Sequence, residues 1–187
     1  MSGKYPKTLG RIEAVWNKLG GEDGVDRFLS GVVRIVFSTI LTTLREMKLD
    51  AQISAVTSLK YWKDAGLVWA CDTFTTQFGS GLALEDAAES TYVVRKLEQK
   101  SLDAPIIAEL GGEKKSESSV AHFHAFLSKN KESSEWFIFY LRGHDGNLWA
   151  VRALWSTLDL GWDVRAESVT NPHEWSVGRC IVSRKYS

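Results

Sequence analysis

Short apolar runs separated by turn-like segments dominate the carboxy-terminal part of the chain. Residues 136–142 are almost continuously apolar, which is typical of a strand covered on both faces. Residues 148–155 follow a turn that contains Asp145 and Gly146, a pair favoured in tight hairpins. The two runs therefore predict adjacent antiparallel strands.

Two further strands are predicted after this hairpin. Residues 162–167 alternate strictly between apolar and polar types, so one face of that strand is expected to be buried and the other wet. Residues 179–183 supply a last strand. Large aromatic side chains favour sheets, and five of the eight tryptophans fall in residues 136–187. These five are Trp136, Trp149, Trp155, Trp162 and Trp175. We therefore predict a Trp-rich antiparallel sheet over 136–187.

The first 31 residues have a helical period instead. Apolar residues recur three and four positions apart up to Leu19, and two glycines follow, as at the end of an amphipathic helix. Asp23 suits the N-cap of a second short helix that ends near Gly31. Residues 1–31 are therefore predicted to form a helical hairpin, beside an α+β domain over 32–187.

The middle of the chain contains both the helical and the strand-like spacing of apolar residues. Residues 32–49 fit either one face of a helix or a buried strand, and we expect a helix in their second half. Residues 52–59 and 67–78 are predicted to be strands. Residues 84–99 are rich in Ala, Glu, Lys and Leu, which predicts a helix by propensity.

Two more helices complete the predicted fold. A short one begins after Asp103, and a longer one covers residues 119–128. The predicted class is α+β: a C-terminal antiparallel sheet packs against central helices, and the N-terminal helical hairpin lies at one edge or projects as an arm.

Composition and charge restrict the function only slightly. The chain has 187 residues, of which 44% are hydrophobic, enough for one substantial core. Its 23 basic and 23 acidic side chains cancel, which argues against an obligate polyanion partner but leaves a local patch open. No secretory signal and no apolar stretch of membrane-spanning length are visible. We therefore expect a cytoplasmic protein without a membrane partner.

The two cysteines indicate a reducing compartment. Cys71 and Cys180 are far apart and match no metal-binding spacing. Free thiols in an intracellular protein are the simpler interpretation, and a disulfide between the two stays open.

One set of glycine, proline and tryptophan positions in the carboxy-terminal half is distinctive. It comprises residues 103–112, residues 138–142, Asp145, Gly146, Gly161, Trp162, Ser168, Val169, Pro172, Trp175, Gly178, Ser183 and Arg184. With a weaker echo at residues 17–22, this set resembles a family of small uncharacterised proteins from uncultured bacteria with reduced genomes. The resemblance implies a bacterial cytoplasmic origin. It transfers no activity, ligand or functional residue.

His122 and His124 are the most conspicuous candidate metal ligands. Two histidines that share a metal on a helix are usually three or four residues apart. A spacing of two places these side chains about 200° apart around a helix. We therefore expect no metal site, and no cofactor-binding motif is present.

Three residues are candidates for catalysis. His144 stands beside Asp145 in one predicted turn, and His173 stands beside Glu174 in another. Either histidine could act as the general base of a hydrolase if a nucleophile lay within reach. Cys180 falls seven residues after His173, but a buried structural cysteine is the simpler interpretation.

The aromatic sheet is the stronger candidate for binding. Aromatic side chains on an open sheet face can stack on nucleic-acid bases while arginines contact phosphates. The candidates are Trp149, Trp155 and Trp162 for stacking and Arg142, Arg152, Arg165 and Arg179 for phosphate contacts. Because large aromatic residues dominate small cores, we expect these tryptophans to be structural.

These observations favour a small cytoplasmic binding or protein-interaction module of unknown ligand, without catalysis of its own. One alternative is a hydrolase that uses a turn histidine. Another is a single-stranded nucleic-acid binder, although its usual sequence signatures are absent. The apolar stripe of the N-terminal helices could also contact a second copy or another protein.

Overall fold

The computed structural model describes most of the chain, which divides into two units, Met1–Ser38 and Thr39–Ser187. The described residues are 16–17, 21–29, 39–50, 56–84, 88–171 and 173–186. In the first unit they include helix α1 (Gly21–Leu29). The helical hairpin predicted for residues 1–31 is not shown. Helix α1 covers most of the predicted second helix but begins at Gly21, ahead of the predicted N-cap Asp23, and most of the predicted first helix lies outside the described residues.

The second unit contains five helices and eight strands among its described residues. In chain order these are β1 (Leu41–Leu49), α2 (Leu59–Asp64), β2 (Leu67–Ala70), α3 (Asp72–Phe78), β3 (Ser90–Leu97), α4 (Asp103–Glu109), α5 (Glu113–Ser116), β4 (Glu117–Ser118), α6 (Val120–Lys129), β5 (Trp136–Arg142), β6 (Leu148–Ser156), β7 (Gly161–Ser168) and β8 (Cys180–Arg184).

All eight strands belong to one mixed sheet, in the order β1-β3-β8-β5-β6-β7-β2 with β4 beside β5. The meander β5-β6-β7 is antiparallel, as predicted from its hairpin pattern. The prediction of a purely antiparallel sheet is wrong, because β8 lies parallel to β5, and β2 lies parallel to β7. The short strand β4 is also parallel to β5. No tight turn connects the strands of any of these three parallel contacts, so turn residues give no sign of them.

Three predictions for the middle of the chain are also wrong. Residues 41–49 form strand β1 rather than a helix, and residues 67–78 form a short strand followed by helix α3. Residues 90–97 within the predicted helix 84–99 form strand β3. Here the helix propensity of Ala, Glu, Lys and Leu is overridden by burial of aromatic and β-branched side chains between two neighbouring strands. Of the strand predicted over 52–59, residues 52–55 lie outside the described residues, Val56 forms an isolated bridge with Ala83, and Leu59 begins a helix.

One face of the sheet, which we call the helix-covered face, packs against α2, α3 and α6. Alternate side chains of β5 and β7, such as Phe137 and Trp162, point to this face and are fully buried. Helix α6, predicted over 119–128, contributes Phe123 and Phe126, which meet the rings of β5 edge to face. The result is a dry aromatic core.

The opposite face is only partly covered. Helix α4 and Trp175 pack over Ile138, Tyr140 and Ile181 in a second, smaller core. Five arginine and tryptophan side chains occupy a different part of this face, which we call the arginine face. They are Trp69, Trp136, Arg152, Arg165 and Arg179. Among the described residues, no helix is both long and apolar enough to cross a membrane.

Candidate ligand-binding face

Strands β6 and β7 place two arginines side by side on the arginine face. Arg152 lies directly opposite Arg165 in the antiparallel register. Their neighbours along the strands, such as Val151 and Val164, are buried on the helix-covered face, because successive side chains of a strand alternate between faces. Like charges directly opposite one another destabilise a strand pair. Sheet stability therefore does not account for this placement.

Trp136, the first residue of β5, lies within cation–π distance of two guanidinium groups. The Cζ of Arg179 is 3.7 Å from the Trp136 ring centroid, and the Cζ of Arg152 is 5.1 Å from it. The negative face of an indole attracts a cation. Stacking restrains both guanidinium groups while their N–H groups stay available for an acceptor.

A second indole lies at the edge of the sheet. Trp69 on β2 is 46% exposed, and the Cζ of Arg165 is 4.9 Å from its ring centroid. Asp163, which faces Trp69 in the strand register, brings a carboxylate oxygen to 3.6 Å from Nε of Arg165. The charge of Arg165 is therefore partly balanced.

The other two arginines of this face are not balanced. Within the part of the chain that the structure describes, neither Arg152 nor Arg179 forms an ion pair. Burial and the nearby positive charge of Arg152 lower the pKa of Arg179. By contrast, Arg45 pairs with Glu135 at 2.5 Å and Arg142 pairs with Glu117 at 2.7 Å. The arginine face thus carries uncompensated positive charge in a chain of zero net charge.

A groove of about 570 Å³ adjoins Trp69. Its apolar wall includes Leu154 and the exposed Leu158, and its charged residues are Asp159 and Asp163. This volume falls within the usual range for small-molecule sites. The groove extends the arginine face beyond its last cation with an apolar, weakly acidic slot.

The three tryptophans that were stacking candidates, and that we expected to be structural, lie on the helix-covered side. Trp155 and Trp162 are buried, and Trp162 donates its indole N–H to the carbonyl oxygen of Leu127 at 3.0 Å. Trp149 packs at the margin of the same core and donates to Asp145. The structure therefore separates these three rings from the predicted Arg152 and Arg165, which lie on the opposite face.

The two candidate catalytic histidines contact different parts of the fold. His144, in the turn between β5 and β6, is exposed, and its Nε2 is 3.1 Å from the carbonyl oxygen of Ser80. His173 brings Nδ1 to 3.4 Å from a carboxylate oxygen of Glu167 and packs its ring on Trp175. No nucleophile lies in hydrogen-bond contact with either histidine among the described residues.

Cys180 is buried on the helix-covered face, at the start of β8 and opposite Phe137. Burial and the carboxylate of Glu135, 3.5 Å away, raise the pKa of its thiol to about 12. A thiol with so high a pKa is a poor nucleophile at neutral pH. The length of β5 separates Cys180 from His144, so the structure does not bring these two residues together. Cys71 and Cys180 are both free.

His122 and His124 make separate contacts on opposite sides of α6. The Nδ1 of His122 is 2.7 Å from the Ser119 hydroxyl, and its Nε2 is 3.0 Å from the Ala88 carbonyl oxygen. His124 stacks on Tyr61 and bonds to the carbonyl oxygen of the same residue. Within the described ranges, no group of three His, Cys, Asp or Glu side chains could hold a metal ion.

A second cleft, of about 450 Å³, lies between the start of α6 and the turn after β5. Its charged lining includes Arg142, whose guanidinium is neutralised by Glu117. His144 also lines it. Lys114 and Arg184 also line this cleft. Among the described residues it has no two guanidinium groups stacked on one indole, so we rank it below the arginine face.

Three of the four arginines predicted from the sequence belong to the site, whereas Arg142 lies in the second cleft and pairs with Glu117. The aromatic residues of the site were not predicted. Arg152 pairs with Ile138, and Trp136 lies two residues before Ile138 on β5, so Trp136 and Arg152 share a face. The alternation along the predicted hairpin could have shown this. Trp69 gave no comparable signal, because the parallel contact of β2 with β7 is distant in sequence.

Comparison with protein-family models, with curated proteins and with solved structures found no match to this chain. The function is therefore inferred from the geometry of the arginine face.

Proposed function

We propose that this protein is a small cytoplasmic binding module, without catalysis of its own, that takes an anionic aromatic ligand on the arginine face. The observation that carries the proposal is the pair of unpaired guanidinium groups, Arg152 and Arg179, stacked on Trp136. A guanidinium offers a planar set of donors that matches carboxylate, phosphate or sulfonate groups.

In the absence of a ligand, repulsion among the three arginines raises the free energy of the folded protein. Arg152 opposes Arg165 across the strands, and burial together with the nearby charge of Arg152 lowers the pKa of Arg179. An anion bound among the three would relieve this repulsion and gain charge-assisted hydrogen bonds. A fold that needed these side chains only to cover apolar surface would do better with a carboxylate nearby, as Arg45 and Arg142 have.

The alternative of a hydrolase has less support. Neither turn histidine has a nucleophile in contact among the described residues, and the thiol of Cys180 has a raised pKa. The cytoplasmic location remains part of the proposal.

The proposal is testable with 8-anilinonaphthalene-1-sulfonate, which joins an aromatic ring system to one negative group. We expect it to shift the indole ¹⁵N–¹H NMR signals of Trp69 and Trp136. The indole N–H groups of Trp62 and Trp162 are bonded to main-chain oxygens inside the core and serve as internal controls. Their signals should not move.

A double variant tests whether the arginines hold the probe. Arg152→Ala with Arg179→Ala should weaken binding at least about tenfold, because two charge-assisted contacts are lost. Lys60→Ala with Lys63→Ala removes the same charge from the exposed side of α2 and should leave the affinity unchanged. Equal binding by both double variants, or shifts at Trp62 and Trp162 instead, would contradict the proposal.

A further inference from the structure

We infer that the ligand of the arginine face is a single-stranded nucleic acid that crosses the strands of the sheet. This inference rests on the proposed function above and names the ligand class for the same site. Its basis is the order in which cations and indoles follow one another across five neighbouring strands.

The functional side chains form a staggered track across the strands. Trp136 and Trp69 fall in one row of the register, in which Leu154 and Asp163 lie between them. Arg152 and Arg165 lie two residues away from that row along their strands. In sheet order, Arg179 precedes β8, Trp136 lies on β5, Arg152 on β6, Arg165 on β7 and Trp69 on β2. Neighbouring strands are about 4.8 Å apart, so these five positions span about 19 Å. A flexible strand could place about four nucleotides on this track, the lower end of the range for single-strand sites.

The two ends of the track differ in charge and therefore suit different parts of a nucleotide. The cations near Trp136 are unpaired and suit phosphate groups. The groove beside Trp69 contains Asp159 and Asp163, which would repel a phosphate. Its apolar wall and the half-exposed indole suit a base instead, because every base offers a π face for stacking.

A double-stranded nucleic acid would make fewer contacts with this surface. Its bases are already stacked and paired, so the rings of Trp69 and Trp136 would find no partner, and only phosphate contacts would remain. An exposed strand that can splay its bases uses both the indoles and the guanidinium groups.

An acidic peptide also fits less well. Peptides that bind sheets usually do so through main-chain hydrogen bonds at a free edge. Strand β6, which carries Arg152, is paired on both sides by β5 and β7. A peptide across this face would be limited to side-chain contacts, and the indoles would contribute little to binding carboxylates.

Fluorescence anisotropy with a fluorescein-labelled twelve-nucleotide oligothymidylate tests the inference. The comparison ligands are the corresponding dT·dA duplex, inorganic polyphosphate and a twelve-residue oligoglutamate, all at the same low salt. We expect the single strand to bind at least about tenfold more tightly than each of the three, because only it supplies both phosphates and accessible bases.

Substitutions separate stacking from charge. Trp69→Ala should weaken oligothymidylate binding about 5- to 100-fold, and Trp69→Phe should restore part of that loss, because a smaller aromatic face still stacks. The slope of log affinity against log salt should be about −1.4 to −2 for two or three phosphate contacts. Arg152→Ala with Arg179→Ala should bring the slope to between about −0.7 and zero, because at most the contact of Arg165 remains.

Arg184→Ala is the matched control, because Arg184 is an exposed arginine that also stacks on an aromatic ring, that of Tyr186, away from the track. It should leave binding unchanged. Circular dichroism and urea unfolding of each variant would establish that its fold is intact.

The outcomes distinguish this inference from the proposed function. If polyphosphate or the duplex binds as tightly as the single strand and Trp69→Ala has no effect, the nucleic-acid inference fails, while anion binding at the face stands. Tightest binding of oligoglutamate would point to an acidic protein partner and also overturn the inference. If no polyanion binds and the naphthalene sulfonate leaves Trp69 and Trp136 unshifted, both proposals fail.

Discussion

The two faces of the sheet use the same residue types for opposite purposes. On the helix-covered face, Trp162 and Phe137 are fully buried and their rings contact each other edge to face. The indole N–H of Trp162 donates to a main-chain carbonyl oxygen inside the core. On the arginine face, Trp69 and Trp136 remain at least partly exposed and contact guanidinium groups instead of other aromatic rings. The aromatic content of a sheet therefore does not by itself indicate either a core or a binding surface.

The difference lies in what opposes each ring. A ring covered by a helix is dehydrated and stabilises the fold through burial. A ring beside an unpaired cation contributes little to the fold but positions charge for a ligand. Substitutions on the two faces should therefore affect different properties.

The largest expected effect on stability is at Trp162. Trp162→Ala should reduce the free energy of unfolding by about 3–5 kcal/mol, because it leaves a large cavity and orphans the Leu127 carbonyl. Trp69→Ala, on the other face, should reduce it by no more than about 1 kcal/mol. Urea unfolding followed by circular dichroism measures both. Equal losses would show that the two indoles play the same structural role.

Substitution of Asp103 tests the part of the opposite face that helix α4 and Trp175 cover. Its buried Oδ1 accepts hydrogen bonds from Tyr140 at 2.8 Å and from Trp175 at 2.7 Å, whereas Oδ2 has no partner among the described residues. Asp103→Ala should cost about 2–4 kcal/mol, because two buried donors lose their acceptor.

Asp103→Asn is the matched variant. It keeps one acceptor oxygen and removes a buried charge, whose burial raises the pKa of the carboxyl group. Urea unfolding at pH 7 should show a far smaller loss than for the alanine variant. A loss as large as that of Asp103→Ala would show that the negative charge itself is needed.

Stability should fall as the pH drops below about 6.5, through the histidines of α6. Burial lowers the pKa of His122 and His124 in the fold below their value in the unfolded chain. Between the two values the unfolded chain binds more protons, so acid favours unfolding. Each histidine contributes at most about 1.4 kcal/mol per pH unit.

Urea unfolding between pH 7.5 and 5.5 measures this dependence. His122→Gln and His124→Gln should each flatten the curve in that window, because glutamine takes up no proton. His144→Gln is the control, since that exposed side chain lies outside the core. An unchanged slope in both core variants would assign the effect to other groups.

The smallest effect on stability is expected at the arginines. Arg179→Ala should change the free energy of unfolding by no more than about 0.5 kcal/mol, because the loss of its stacking contact is offset by relief of repulsion from Arg152. Thermal unfolding in low salt measures this. A loss of several kcal/mol would assign Arg179 to the structural part of the molecule.

The local sequence pattern was sufficient to predict strands that pair with their neighbours in sequence. The meander β5-β6-β7 and helix α6 were predicted from alternation, a hairpin turn and helical spacing. It was insufficient for β1, whose segment fits either a helix or a strand, and for β3, which lies among residues with helix-forming composition. Both are strands because β1 pairs with β3 and β3 pairs with β8. Such pairing depends on residues far away in sequence.

The sequence by itself determined which segments of the carboxy-terminal half are strands and which of their side chains share a face, because alternation has a period of two within each strand. Only the tertiary structure decided that α2, α3 and α6 cover one face, that β8 inserts beside β5, and that β2 brings Trp69 to Arg165. Contacts between distant strands and the choice of which face to cover depend on the free energy of the whole packed core. No local window of residues contains that information.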